Sequence, residues 1–104
     1  MSHWIDVAPE QRLTAGEALH IEHDGLSIAI FQIDDTWVAI EDLCSHDRNP
    51  ISDGCVEGDQ IICPRHGARF CLRTGRALTA PAYEDIQTFK VKHEAGRLWI
   101  EIPD

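Results

Sequence analysis

Alternation of apolar and polar residues, with little helical periodicity, is the main pattern along this chain of 104 residues. An apolar run from Leu26 to Ile33 is followed by Asp34-Asp35 and then by Thr36 to Ile40, which predicts a hairpin with an acidic turn. Other segments of strand character are 4–7, 18–22, 89–92 and 98–102, the last two separated by a turn at 94–96. At most a single helical turn is expected, at Pro9 to Leu13. The chain is therefore predicted to be all-β, with Trp37, Phe89 and Trp99 in its core.

The middle of the chain differs from both ends. From Glu41 to Gln60 it is polar and contains Pro50, Gly54 and Gly58. Short strands are predicted at 60–62 and 68–72, with a turn at 73–75 after the second. A polar segment of this length inside a compact domain normally has a function or a crosslink. We therefore predict one domain over 1–104, in which a base of about 1–40 and 81–104 carries a metal-binding subdomain of about 41–80.

Two short motifs in this middle segment carry metal-ligand chemistry: Cys44-Ser45-His46 and, after sixteen intervening residues, Cys63-Pro64-Arg65-His66. Each supplies one thiolate and one imidazole from a single short loop. A two-iron cluster with two chemically different irons needs this set, with two sulfurs on one iron and two ring nitrogens on the other. The candidate ligands are therefore Cys44, His46, Cys63 and His66.

Zinc is the alternative for the same residues, because two cysteines and two histidines can form a tetrahedral structural site. Zinc fingers of this composition usually present both cysteines first and both histidines second, commonly with the histidines on a helix. Here the order alternates and the surroundings have strand and loop character. A packing role without any metal is a further alternative, but it leaves four ligand-type side chains in two compact loops unexplained.

The amino-acid composition limits the classes of partner that the chain is expected to bind. Eighteen acidic against nine basic residues give a net charge of −9, which disfavours nucleic acid and anionic membranes and favours a basic protein surface. The longest mostly apolar stretch, Leu26 to Ile33, is too short to cross a bilayer. No basic segment followed by an apolar run stands at the start, so a soluble, cytoplasmic protein is expected.

The charges around the two motifs are unequal. From Glu41 to Ile62 there are six acids and one base, whereas Cys63 to Arg76 contains four arginines and no acid. These opposite charges could hold the two loops together or could contact a partner, and the sequence does not choose. The remaining cysteines, Cys55 and Cys71, are expected to be buried free thiols in a reducing cytoplasm, with Cys71 in the core.

The order Cys-x-His and then Cys-x-x-His resembles the Rieske [2Fe–2S] motif. The likeness extends over the whole chain to small Rieske-type ferredoxins, through Gly67, Phe70, Arg73-Thr74-Gly75 and Pro81. The resemblance implies the Rieske fold, an antiparallel β-sandwich or barrel base with a small two-loop cluster-binding subdomain. It also implies one [2Fe-2S] cluster per chain, with cysteines on one iron and histidines on the other, and a covering loop near 78–83 in which Pro81 shields the metal.

Four positions depart from high-potential members of that family. Such proteins join their ligand loops by a disulfide, where this chain has Asn49 and Arg65. They also place Ser and Tyr hydroxyls near the cluster sulfurs, where this chain has Ala68 and Phe70. Because a hydrogen bond to sulfur stabilises the reduced cluster, its loss lowers the potential. We expect a value at the low end of the Rieske range, about −150 mV.

The resemblance implies a function in electron transport. It predicts a soluble ferredoxin that carries single electrons from an NAD(P)H-dependent flavin ferredoxin reductase to a terminal non-haem iron oxygenase, such as a dioxygenase component, and that is monomeric and has no catalytic residues of its own. No glycine-rich nucleotide motif is present, and His20 and His23 lack a third ligand for a second metal. The alternative is an accessory redox or sensing protein associated with iron–sulfur cluster assembly.

Overall fold

Ten β-strands account for the regular structure in the computed structural model, which describes residues 3–14, 16–44, 49–65, 67–80 and 84–103. The strands are β1 (His3–Pro9), β2 (Leu19–His23), β3 (Leu26–Ile33), β4 (Thr36–Glu41), β5 (Cys55–Glu57), β6 (Gln60–Ile62), β7 (Arg69–Cys71), β8 (Thr88–Phe89), β9 (Val91–Glu94) and β10 (Arg97–Ile102). No helix in these ranges has the length and apolar character needed to span a membrane.

The strands form three antiparallel sheets, with the orders β1-β10-β9, β2-β3-β4-β8 and β5-β6-β7. The predicted all-β class is confirmed, and so are both predicted hairpins. In the first hairpin Ile33 pairs with Thr36, and Asp34 adopts a φ of 55°. In the second, Glu94 pairs with Arg97 across Ala95 and Gly96, whose φ values are 54° and 76°. Two successive positive φ values are the geometry of a tight two-residue turn.

Two local expectations differ from the structure. Residues 10–14 form no helical turn, because Pro9 ends β1 and the N–H of Leu13 donates to the side-chain carbonyl of Gln32 on β3 at 2.7 Å. The predicted strand 89–92 is divided into β8 and β9, which belong to different sheets. Lys90 makes the crossing between the sheets, and its carbonyl accepts a hydrogen bond from the N–H of Glu101.

Strand β3 explains how the three sheets pack. Side chains alternate between the two faces of a strand. On β3, Ile28 and Ile30 join one apolar cluster, and Ala29, Phe31 and Ile33 join another. The sheet β2-β3-β4-β8 is therefore the middle layer, buried on both faces, which is why β3 is apolar at every position except Ser27 and Gln32.

One cluster lies between the middle sheet and the β1-β10-β9 sheet and contains Leu13, Ile28, Ile30, Ala39, Phe89, Ile100 and Ile102. The other joins the middle sheet to the β5-β6-β7 sheet and contains Ala29, Phe31, Ile33, Ile40, Cys44, Ile51, Ile61, Cys63, Ala68, Phe70, Leu72 and Ile86. We call the second cluster the shared core. The third sheet falls within 41–80, but the proposed division of the chain at these boundaries stays a prediction.

The aromatic side chains occupy the core less fully than expected. Phe89 is buried, as predicted, whereas Trp37 and Trp99 are only half-buried. Trp99 alternates with the buried Leu98 and Ile100, so its indole lies on the outer face of the β1-β10-β9 sheet. There the ammonium of Lys92 lies 4.6 Å from the ring centre of Trp4 and 5.7 Å from that of Trp99. These cation–π contacts explain how two large aromatic side chains are kept on a surface.

Candidate metal centre

Two loops follow the ends of β4 and β6, and both are closed in the same way. The N–H of Cys44 donates to the carbonyl of Asn49 at 2.8 Å, and the N–H of Cys63 donates to the carbonyl of Ala68 at 2.7 Å. In each loop the bond therefore runs from a cysteine to the fifth residue after it. The second loop also turns back at Gly67, whose φ of 74° favours glycine and whose N–H donates to the carbonyl of Cys63.

The two predicted cysteine ligands are the inner ends of these loops. Cys44 is 0% exposed and Cys63 is 1% exposed, both belong to the shared core, and neither is in a disulfide. A buried thiolate in apolar surroundings needs a positive partner, and a metal supplies one. Two buried cysteines in matching loops, each with a histidine two or three residues later in sequence, fit the donor set of a two-iron cluster.

The predicted ligands His46 and His66 lie outside the described residues, as does the predicted covering residue Pro81. Within the ranges that the structure describes, no group of three or more His, Cys, Asp or Glu side chains is arranged to hold a metal ion. The structure thus places two of the four predicted ligands, and it gives both the burial expected of a sulfur ligand.

The carboxylate of Asp42 organises the first loop. In the sequence this residue is only one of six acids from Glu41 to Ile62. Asp42 Oδ1 accepts the N–H groups of Ile51 and Ser52 at 2.9 and 2.8 Å, and Oδ2 accepts the Ser52 hydroxyl at 2.7 Å. The Asp42 side chain is only 10% exposed. Hydrogen bonds to an ionised acceptor are strong, so this carboxylate fixes where the loop returns to the shared core.

Charge pairing accounts for part of the arginine-rich segment. Arg69 contacts Glu57 at 3.0 Å, and Arg73 contacts both Asp59 at 3.6 Å and Asp34 at 3.2 Å. Of the two uses left open by the sequence, these contacts support pairing with the acidic segment. The pairs are well exposed, so each contributes at most about 1 kcal/mol to stability.

Arg65 makes a different contact. Its Nη2 donates to the carbonyl of Pro50 at 2.7 Å, which joins the second ligand loop to the first. High-potential members of the family have a disulfide between the two loops at the positions of Asn49 and Arg65. In this chain Arg65 instead forms a hydrogen bond with Pro50, the residue next to Asn49. Ala68 and Phe70 are fully buried in the shared core, so these two positions offer no hydroxyl near the loops.

The two cysteines outside the predicted ligand set lie on the third sheet, away from the shared core. The prediction that Cys55 is buried is wrong, because this residue is exposed on the short strand β5, and Cys71 is only half-buried on β7. The prediction that Cys71 belongs to the core is wrong, because on this strand Phe70 faces inward and its neighbour faces outward. Burial raises the pKa of the Cys71 thiol, but hydrogen bonds from the Thr74 hydroxyl and from the backbone N–H groups of Thr74 and Arg73 outweigh it and leave the pKa lowered.

The side chains of His20 and His23 do not point toward a common site. His20 and His23 are three residues apart on β2, and residues at an odd spacing along a strand point to opposite faces. His20 Nδ1 lies 3.8 Å from Asp42, whereas His23 Nε2 lies 3.4 Å from Asp24. The two imidazoles thus point away from each other and contact different carboxylates.

A family model described as the Rieske [2Fe-2S] domain matches residues 3–90. The chain belongs to this family. Two curated Rieske relatives are similar over almost their whole length. The ferredoxin component of the naphthalene 1,2-dioxygenase system of Pseudomonas aeruginosa is 36% identical over 99 residues, which are 95% of each chain. The 3-phenylpropionate/cinnamic acid dioxygenase ferredoxin subunit of Escherichia coli K12 is 39% identical over 101 residues, which are 96% of this chain and 94% of the relative.

Solved Rieske structures agree with the fold. The ferredoxin of Sphingomonas yanoikuyae B1 superposes with a TM-score of 0.88 at 26% identity, covering 97% of this chain and 100% of the other. A chain from the complex of reduced oxygenase and oxidized ferredoxin in carbazole 1,9a-dioxygenase gives 0.85 at 28% identity, covering 93% and 91%. The predicted Rieske fold is therefore confirmed.

The same relatives confirm the predicted cofactor and class of activity. The Rieske-type [2Fe-2S] cluster is the group that this family holds, and it supplies one-electron transfer. The relatives are electron-transfer components and not catalytic subunits, as predicted for this chain. Zinc as the resident metal is disfavoured by the family match. The assignment of individual ligands to the two irons stays a prediction.

Proposed function

We propose that this chain is a soluble, cytoplasmic and monomeric Rieske ferredoxin. It accepts single electrons from an NAD(P)H-dependent flavin ferredoxin reductase and delivers them to a terminal non-haem iron oxygenase. One observation carries the proposal: two buried cysteines sit at the base of two identically closed loops, in a chain that aligns end to end with ferredoxin components of dioxygenase systems. A net charge of −9 suits partners with basic docking faces.

In this proposal Cys44 and Cys63 hold one iron, and His46 and His66 hold the other. The chain's own backbone orients the sulfurs, because each cysteine is fixed by a loop-closing hydrogen bond and by packing in the shared core. The shared core also excludes water from the sulfur side, and Pro81 would cover the outer side. Because the other sides of the cluster are covered, an electron enters and leaves through the side of His46 and His66.

The alternative role in iron–sulfur cluster assembly is not favoured, since the relatives named above belong to dioxygenase systems. Their names mention different aromatic compounds, which fits a carrier that never contacts the substrate. The substrate of a partner oxygenase is therefore set by the oxygenase and not by this chain.

The reduction potential is expected to rise when a hydroxyl is added beside the cluster. Ala68 is fully buried in the second ligand loop, so Ala68→Ser places a donor where only a methyl group stands. One hydrogen bond of ordinary strength to the reduced cluster corresponds to a rise of roughly 20–60 mV. Redox titration measures the shift, and Ala77→Ser, in a partly buried position beside the same core, is the matched control. An unchanged potential in a correctly loaded Ala68→Ser protein would contradict a low potential caused by missing donors.

The function itself is tested by electron transfer with purified components. The chain, prepared without oxygen, is mixed with NADH and a flavin ferredoxin reductase from a dioxygenase system, and bleaching of its visible absorption is followed. Anaerobic addition of an oxidised terminal oxygenase should restore the absorption as electrons pass on. Omission of the reductase is the control. Failure of every such reductase to reduce a protein that dithionite does reduce would contradict the proposed role while leaving the cofactor intact.

A further inference from the structure

The hydrogen bond from Arg65 to Pro50 lies at the exposed rim of the two ligand loops. Arg65 stands between Cys63 and His66 in the second loop, and its Nη2 donates to the Pro50 carbonyl of the first loop at 2.7 Å. Both residues are exposed, whereas Cys44 and Cys63 lie in the shared core. The shared core holds the inner ends of the two loops, and this contact joins their solvent-exposed ends.

The acceptor of this bond is held firmly in place. The carbonyl of Asn49, just before Pro50, accepts the N–H of Cys44, and the N–H of Ile51, just after it, donates to Asp42. The Pro50 carbonyl and the Ile51 N–H belong to one planar peptide unit, so the hydrogen bond to Asp42 also sets the direction of this carbonyl. By binding the Pro50 carbonyl, the Arg65 guanidinium is linked to the adjacent Asn49, whose own carbonyl accepts the N–H of Cys44.

The donor is well suited to such a link. The guanidinium is planar, always charged and carries several N–H groups in a rigid arrangement, whereas a lysine ammonium is a flexible point charge. Its hydrogen bond to a neutral carbonyl is charge-assisted and stronger than one between neutral groups. Arg65 also belongs to the second loop itself, so no intervening element has to transmit the constraint.

We propose that Arg65 is a positioning residue for the cluster: it clamps the outer rims of the two ligand loops together and slows their separation. The inference rests on the proposed ligand set, since a clamp between these loops matters for the cofactor only if both loops hold it. Its consequence concerns retention of the cofactor, which is distinct from electron delivery to a partner.

The test measures how fast the cluster is lost. Anaerobically purified, loaded proteins are exposed to an excess of an iron chelator, and the decay of the visible absorption is followed for wild type, Arg65→Met, Arg65→Lys and Arg76→Met. Arg76→Met removes the same charge from the same arginine-rich segment without touching the Pro50 contact. Hydrogen exchange at the backbone amides of 49–52 and 63–68 is measured on the same samples.

We expect Arg65→Met to lose its cluster roughly three- to tenfold faster than wild type, with faster exchange confined to the two loops. Arg65→Lys should recover part of the difference, and Arg76→Met should match wild type. Equal decay of Arg65→Met and wild type, or equal acceleration in Arg65→Met and Arg76→Met, overturns the clamp. If Arg65→Met is not obtained in loaded form, the comparison of Arg65→Lys with Arg76→Met decides in the same way. Wild-type protein without acid-labile sulfide would overturn the ligand set, and the clamp with it.

Discussion

Replacement of Cys44 or Cys63 by serine is expected to give protein without the visible absorption and acid-labile sulfide of a [2Fe-2S] cluster. Both thiols are almost completely buried at the inner ends of the two loops, so no neighbouring water can replace a lost sulfur ligand. A serine hydroxyl is a poor substitute, because it stays protonated where a thiol would ionise. Iron and sulfide analysis of anaerobically purified protein, together with the electron-spin signal after reduction, measures the loss.

The chain provides its own controls for this experiment. Cys55→Ser and Cys71→Ser remove cysteines from the outer face of the third sheet and should leave the cluster content within error of wild type. His46→Cys should alter or abolish the cluster as well, since a thiolate adds negative charge and differs in reach from an imidazole. A cluster that survives Cys63→Ser but is lost in Cys71→Ser would contradict the proposed ligands and would point to a different pair of sulfurs.

The strands of the base could be predicted because each has a pattern that its burial enforces. Leu26 to Ile33 is mostly apolar since both of its faces are covered, and Arg97 to Ile102 alternates since only one face is. Strand β5 was not predicted: it has three residues, two of them exposed, and it is stabilised by pairing with β6. Trp37, Trp99 and Cys71 are less buried than predicted, because residue type alone does not tell which face of a strand is covered.

The residues of the candidate site also fall into two groups: those that could be predicted from the sequence and those that could not. The ligand motifs are visible in the sequence since each pair of ligands comes from one short loop, and the spacing within a loop is local. The residues that arrange those loops are not visible, because their contacts are long-range. Asp42 binds backbone groups nine and ten residues later, and Arg65 binds a carbonyl fifteen residues earlier. A carboxylate or guanidinium in a charged stretch carries no sign of such a partner until the fold is known.

Gly54→Ala is expected to destabilise the protein strongly, although it adds only one methyl group. The backbone at Gly54 packs directly on β6: an added Cβ would overlap the carbonyl oxygen of Ile62 and lie 3.1 Å from that of Ile51. Both contacts are with backbone, so relief requires β6 or the first loop to move, and Ile62 is the residue immediately before Cys63. Overpacking of this kind costs on the order of 3 kcal/mol, which for a domain of this size lowers the melting temperature by more than about 10 °C.

The matched control is Gly58→Ala in the turn between β5 and β6. A Cβ there meets no atom within 4 Å, although the φ of 60° imposes a modest strain of about 1 kcal/mol. Thermal unfolding of the loaded proteins, followed by circular dichroism, should therefore rank wild type above Gly58→Ala and Gly58→Ala well above Gly54→Ala. The Gly54 variant should also lose its cluster faster, because the displaced β6 leads straight into the second ligand loop. Equal melting temperatures for the two variants would mean that the approach of position 54 to β6 is not rigid, and that the second ligand loop is not held from this side.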